Sequence, residues 1–181
     1  MYGKRAFHHR CCATSRWWNY RVENQVAGRG GWRGIIGVQG DVVSIETLRA
    51  VAQPWQCDAM GHMNVRFYTG YFDDASSQFV GTLGGGVEQL GTADLGWADV
   101  HHVVEFKEEV KSGGLLTVTT RVIKIGRTSL TFQHQLLGLS GNIHATMEVV
   151  TVMFDLKARR ATTFPDDIRR AAEELLSQEI A

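Results

Sequence analysis

The chain has 181 residues with 19 basic and 19 acidic side chains, and a domain of that size buries roughly 70% of its unfolded surface, so it needs no disulfide or metal staple. Its three cysteines, Cys11, Cys12 and Cys57, are odd in number and lack the spacing of a zinc knuckle or disulfide framework. No apolar run approaches the ~20 residues that span a bilayer, and the start lacks the apolar core of a secretory signal, so a reducing, cytoplasmic location is expected.

The neutral average hides an asymmetry. Residues 1–40 hold seven Lys or Arg and one acid, Glu23, whereas from Val42 onward 12 basic residues face 17 acidic ones. The acidic body disfavours nucleic acid as a partner. The segment 1–42, with "CCATSRWW" and "GRGGWRGIIG", shows no sustained helical or strand period. It reads as a basic N-terminal extension from an upstream start assignment, with Val42 or Val43 as the alternative first codon. A basic arm touching anionic surfaces and an Arg-rich transit peptide are the other readings. Residues 43–181 are expected to form the working domain.

"ETLRAVAQPWQCD" reads as a strand reaching the loop at Asp58, with Pro54 at an edge or bulge. A helix follows. Tyr68, Tyr71, Phe72, Ala75, Phe79 and Leu83 recur at three- and four-residue steps. Asn64 is its expected N-cap, and Gly84-Gly85-Gly86 ends it. "DVHHVVEFKEEV", "LLTVTTRVIKI", "TSLTFQHQLLGL" and "HATMEVVTVMFDL" then read as at least four strands in a meander. Gly113-Gly114 and Ser140-Gly141-Asn142 supply turns. Gly126-Arg127 fits a two-residue hairpin turn with Gly first. A terminal helix opens with Pro165 and two acids and carries an apolar stripe at Leu175, Leu176 and Ile180. Helix and strands segregate, which makes the fold α+β. A sheet covered on one face, with open edges, calls for a second copy.

The chemistry concentrates in "CDAMGHMN", just before the long helix. A helix N-terminus offers free N–H groups and partial positive charge, and Gly61 allows a sharp turn. The amides of Met63, Asn64 and Val65 are candidate donors to an oxyanion on an attacked carbonyl. Asp58 could serve as general base or nucleophile; equally, it could cap its own turn. His62 stands beside it, as catalyst or as structural residue, and Asn64 could be an N-cap and nothing more. Tyr68, Tyr71 and Phe72 line a pocket or pack the core. His101 and His102 point to opposite faces of a strand and make a poor metal site.

"VAQPWQCDAMGHMNVRFYTGYFDDAS" resembles the signature of the 4-hydroxybenzoyl-CoA thioesterase-like branch of the hotdog-fold superfamily, through its Asp-x-x-Gly-His-x-Asn core and Tyr/Phe-rich helix. "KIGRTSLTFQHQL" resembles a strand pair of the same proteins. The likeness runs from about Ile45 to Pro165. It implies a long helix wrapped by a five- or six-stranded antiparallel sheet, a homodimer or homotetramer, and acyl-CoA in clefts between subunits. It implies hydrolysis of a CoA thioester to an acid and free CoA, without metal or redox cofactor. Asp58 matches the catalytic carboxylate, and the amides at Asn64 and Val65 match the oxyanion-stabilising helix end, with His62 beside them. Gly61, Tyr68, Tyr71 and Phe72 are candidate substrate contacts. Arg127, with Thr128, falls where some relatives place basic residues for the CoA phosphates; a solvated turn arginine is the rival reading. Two rival functions remain: a non-catalytic acyl-CoA sensor, and a hotdog hydratase or dehydratase. Hydratases of the superfamily set Asp and His five apart, against four here.

Overall fold

A computed structural model describes residues 36–39 and 42–177, all within one compact unit, Gly31–Ala181. In chain order the elements are β1 (Ile36–Gln39), β2 (Val42–Val51), a 3-10 turn (Pro54–Gln56), α1 (Val65–Thr82), α2 (Val87–Gly91), β3 (Leu95–Phe106), β4 (Leu115–Ile125), β5 (Ser129–Gly138), β6 (Ile143–Asp155), β7 (Arg160–Ala161) and α3 (Asp166–Ser177). The sheet is antiparallel throughout, in the order β1-β2-β4-β5-β6-β3, with β7 on β6. This is the hotdog arrangement: one long helix held against a wide curled sheet.

The apolar stripe of α1 explains the packing. Tyr68, Phe72, Ala75 and Phe79 lie on one helical face and are buried. They meet the inward alternation of the sheet, Leu116, Val118 and Val122 on β4, Leu130, Phe132 and Leu136 on β5, and Met147 and Val149 on β6. Phe79 packs on Phe132 at 4.8 Å between ring centroids. Asn64 caps the helix, its Oδ1 accepting from the Arg66 N–H at 3.2 Å, and Gly84 follows the helix at φ +80. Helix, cap and stop therefore stand as the periodicity predicts.

Several expectations are corrected. Pro54 is not in a strand: β2 ends at Val51, and Pro54 opens the 3-10 turn, where its missing N–H costs nothing. Only β4, β5 and β6 form a meander. β3 precedes β4 in sequence but pairs with β6 at the far edge, because residues 107–114 form a long connection rather than a tight turn. Gly126 does not lead a primed turn. Ile125 pairs with Leu130, the tip residues are Arg127 and Thr128, and Gly126 has no positive φ. On α3 the buried residues are Ile168 and Ala172, Leu176 is exposed, and Ile180 lies outside the described residues. Ile36–Gln39, inside the segment without a period, is strand β1 on β2; residues 1–35 lie outside the described residues. No described helix is long and apolar enough to cross a membrane.

Candidate active site at the entrance to the long helix

The Asp-x-x-Gly sequence builds a tight hairpin. Gly61 N–H donates to Asp58 O at 3.0 Å, and Asp58 N–H donates to His62 O at 2.9 Å. Cys57 then pairs with Met63. Gly61 sits at φ +82, which a side-chain-bearing residue rarely adopts. Asp at the first and Gly at the fourth position suit a type I turn, and Asp58 Oδ1 accepts from the Met60 N–H at 2.8 Å. Asp58 is half-buried and lies seven residues before Val65, the first residue of α1.

The amides downstream are not equivalent. Met63 N–H donates to Val110 O at 2.7 Å, Asn64 N–H to Gln56 O at 2.9 Å, and Phe67 N–H to Asn64 O at 2.9 Å. Arg66 N–H is taken by the Asn64 side chain. Of the amides from Met63 to Phe67, only that of Val65 has no partner among the described residues. The Asn64 amide is thus spent inside the fold, and within this segment the Val65 N–H, at the positive end of α1, is left without an acceptor among the described residues.

The turn is backed from two distant segments. His62 pairs with Lys111 as a bridge, and its Nε2 lies 3.0 Å from Glu109 Oε2, while its Nδ1 is buried without a partner among the described residues. Val110 N–H donates to the Tyr68 hydroxyl at 3.2 Å. The Tyr71 hydroxyl lies 2.7 Å from Gln56 Oε1 and 3.2 Å from Val51 O. It ties the end of β2, the 3-10 turn and α1 together. Gln56 is buried and also accepts from Gln53 N–H at 2.7 Å. Nothing in the sequence pattern marks it.

Tyr68 and Phe72 are buried in the core of this chain. Tyr68 is buried edge-to-face against Phe106, and loss of hydration raises its pKa. Phe72 is fully buried and stacks on His134. Arg127 and Thr128 are not brought to Asp58 within one chain. The start of β4 abuts the Asp58 turn, with Val51 paired to Leu115. Arg127 lies past the opposite end of that eleven-residue strand, about 30 Å away at 3.3 Å per residue. Its carbonyl accepts from Arg169 on α3 at 3.1 Å, and Thr128 O accepts from Met153 N–H at 3.0 Å.

A second polar assembly lies deeper, and sequence reasoning missed it. His134 is buried on β5 between Phe72 and Phe132. Burial, with a lesser contribution from His102, pushes its pKa down to about 3, so it is neutral at physiological pH. Thr47 Oγ1 donates to Val118 O at 3.2 Å and must accept from Thr120 Oγ1 at 2.8 Å. Thr120 must in turn accept from His134 Nδ1 at 2.7 Å. His134 Nε2 is left as an acceptor, and Ser76 Oγ, 2.9 Å away on α1, donates to it. The inward alternation Phe132, His134, Leu136 was the available signal. Among the described residues no cluster of His, Cys, Asp or Glu could hold a metal.

A helix-wrapping antiparallel sheet with an acid in the turn at the helix mouth defines a class, the hotdog-fold thioesterase-like proteins. A family model described as thioesterase-like superfamily matches residues 52–172, about two thirds of the chain, and the chain belongs to that family. It is 29% identical over 122 residues to an L-carnitine dehydrogenase/betainyl-CoA thioesterase of Agrobacterium fabrum, a match covering 67% of this chain and 25% of that protein. The chain thus spans about a quarter of that relative's length. Among solved structures it resembles a Staphylococcus aureus protein in complex with CoA, at TM-score 0.72 and 16% identity, covering 80% of this chain and 91% of the other. It also resembles a 1,4-dihydroxy-2-naphthoyl-CoA thioesterase from Synechocystis, at TM-score 0.65 and 13% identity, covering 73% and 97%.

Proposed function

We propose that the protein is an acyl-CoA thioesterase that hydrolyses a CoA thioester to a carboxylic acid and free CoA. The observation that carries this reading is the open Val65 amide at the N-terminus of α1, beside the Asp58 turn. The family match and the CoA-bound structural neighbour support the substrate class. In the general-base route Asp58 takes a proton from water and the oxygen adds to the thioester carbon. The resulting oxyanion accepts from Val65 N–H. Collapse breaks the C–S bond, and the CoA thiolate leaves with the proton held by Asp58. In the nucleophilic route the carboxylate itself adds, CoA leaves, and water hydrolyses the mixed anhydride. Both routes need the same carboxylate and donor. Arg127 reaches a nucleotide phosphate only if a second copy brings its hairpin across. The exposed edge strand β3, with Val100, Val103 and Phe106 open to solvent, supports assembly as a dimer or tetramer.

A second reading is an acyl-CoA sensor without turnover. The bond from Met60 N–H to Asp58 Oδ1 favours it, because a carboxylate that caps its own turn has a structural duty already. Thiol release from a panel of short, branched, long and aromatic acyl-CoAs separates the two. Steady release of CoA supports the hydrolase; binding of acyl-CoA without release supports the sensor.

A further inference from the structure

A groove runs along α1 on the side facing β3. One hollow of about 310 Å³ lies beside Thr69, Asp73, Ser76 and His102. A second of about 330 Å³ continues toward the end of the helix and shares Asp73 and Ser76 with the first. The second has two aromatic walls, Trp97 and Phe132, and two carboxylates, Asp73 and Asp99. No lysine or arginine lines either hollow among the described residues, and the one histidine that does, His102, holds its Nε2 3.0 Å from Asp99 Oδ2, which leaves Asp73 as the carboxylate most open to a ligand. β3 slips register between Asp99 and His101, a bulge of the kind that re-aims a side chain beside a site.

One neutral group has the same polarity. Ser76 gives its proton to His134 Nε2, so its remaining lone pairs make it an acceptor toward the groove. Thr151 also lines the hollow, is 1% exposed, and its Oγ1 has no hydrogen-bond partner among the described residues. A buried hydroxyl left unpaired is costly unless a ligand completes it. Trp97 is fixed by its Nε1–H bond to Gly85 O at 2.9 Å. A side chain at position 85 would meet its indole, with Cβ 2.9 Å from Cζ2. Carboxylates, an acceptor-only serine and aromatic faces together suit a cation.

We infer that this hollow receives a positively charged nitrogen carried on the acyl chain, either a quaternary ammonium or a protonated amine. The inference rests on the thioesterase reading, since it assigns the far end of that site. Asp73 lies eight residues beyond Val65, about 12 Å along the helix. With the carbonyl at the Val65 amide, the nitrogen must therefore stand several methylenes from the thioester. An acyl group with its charge next to the carbonyl is too short.

The test pairs substrates of equal shape and different charge, with the nitrogen about 10 Å from the carbonyl to match the helix spacing: 8-(trimethylammonio)octanoyl-CoA against 9,9-dimethyldecanoyl-CoA, and 9-aminononanoyl-CoA against decanoyl-CoA. Wild type is expected to favour one or both cations by about tenfold in kcat/KM. The pair that shows the preference identifies the kind of nitrogen. Asp73→Asn and Asp99→Asn should each lower kcat/KM for the cation more than for its neutral partner, so that the ratio of the two falls toward one. Equal or reversed preference in both pairs overturns the inference while leaving the hydrolase intact. If no thioester is cleaved, the hydrolase reading fails instead. Equilibrium binding of the matching thioether analogues, which lack the carbonyl, then still decides the cavity: tighter binding of a cationic analogue, lost in Asp73→Asn, upholds it, and equal binding refutes it.

Discussion

The mouth of α1 and the groove along its middle make an instructive pair. At the mouth, Asp58, Gly61, Asn64 and Val65 fall within eight residues, and local rules dictate their geometry: a tight turn, a left-handed glycine, a side-chain cap, an open amide. In the groove, Asp73, Ser76, Trp97, Asp99, Phe132 and Thr151 come from α1, β3, β5 and β6, with His134 buried behind Ser76. Nothing local links them. The mouth is suited to hold a reacting carbonyl, and the groove to choose what hangs from it. A short segment can thus encode reactivity, while selectivity along a helix depends on what the sheet lays against it.

The sharpest way to break this division is at Asp58. Asp58→Asn keeps the side-chain size and the acceptor for Met60 N–H but removes the base and nucleophile. Its kcat should fall by about 10²–10⁴-fold, while a non-hydrolysable acyl-CoA still binds. A folded variant that retains most of its kcat would strip the mouth of its chemical role.

The next effect concerns the helix face between mouth and groove. Phe72→Ala should destabilise the fold by about 3–5 kcal/mol, because the ring is fully buried against His134. Denaturant unfolding reads this directly. A loss under 1 kcal/mol with altered acyl preference would return Phe72 to the substrate pocket.

His134 makes the groove sensitive to acid. Its folded pKa, about 3, lies below the unfolded value of 6.5, so between these limits the unfolded chain binds the extra proton. Stability from keeping this ring neutral is complete above pH 6.5. It falls as pH drops, by about 1.4 kcal/mol per unit at most, until the folded pKa is reached. His134→Gln should show a shallower decline than wild type between pH 6 and 4 when both are unfolded in urea. Parallel curves would mean that the ring is charged or solvated in the folded protein.

Two smaller effects sharpen the mouth. Asn64→Ala removes the cap on Arg66 N–H and should cost about 1 kcal/mol, with the Val65 donor still in place and kcat changed far less than in Asp58→Asn. Arg127→Ala should raise KM a few-fold at constant kcat, since a phosphate contact is made equally in ground and transition states. Because Arg127 lies at the far end of β4 from Asp58, the effect requires a second copy. An unchanged KM at low and high salt would leave it a turn residue.

The sequence alone determined the long helix, its Asn64 cap and glycine stop, the five long strands and the α+β class, because each follows from periodicity and from residues within one or two turns; the short β1 and β7 left no such trace. It also located the Asp58 turn, because Asp-x-x-Gly is a local instruction. Tertiary structure decided the rest. It spent the Asn64 amide on Gln56 and left Val65 open. It carried β3 past β4 to the outer edge beside β6, since strand order depends on long connections and not on local pattern. It put Tyr68 and Phe72 in the core and set Arg127 a strand's length from Asp58. Above all it joined Ser76 to His134, and Asp73 to Trp97 and Thr151, in a groove whose parts are separated by up to about eighty residues. Hydrogen-bond direction and the pairing of buried groups depend on three-dimensional neighbours, and one-dimensional spacing does not contain them.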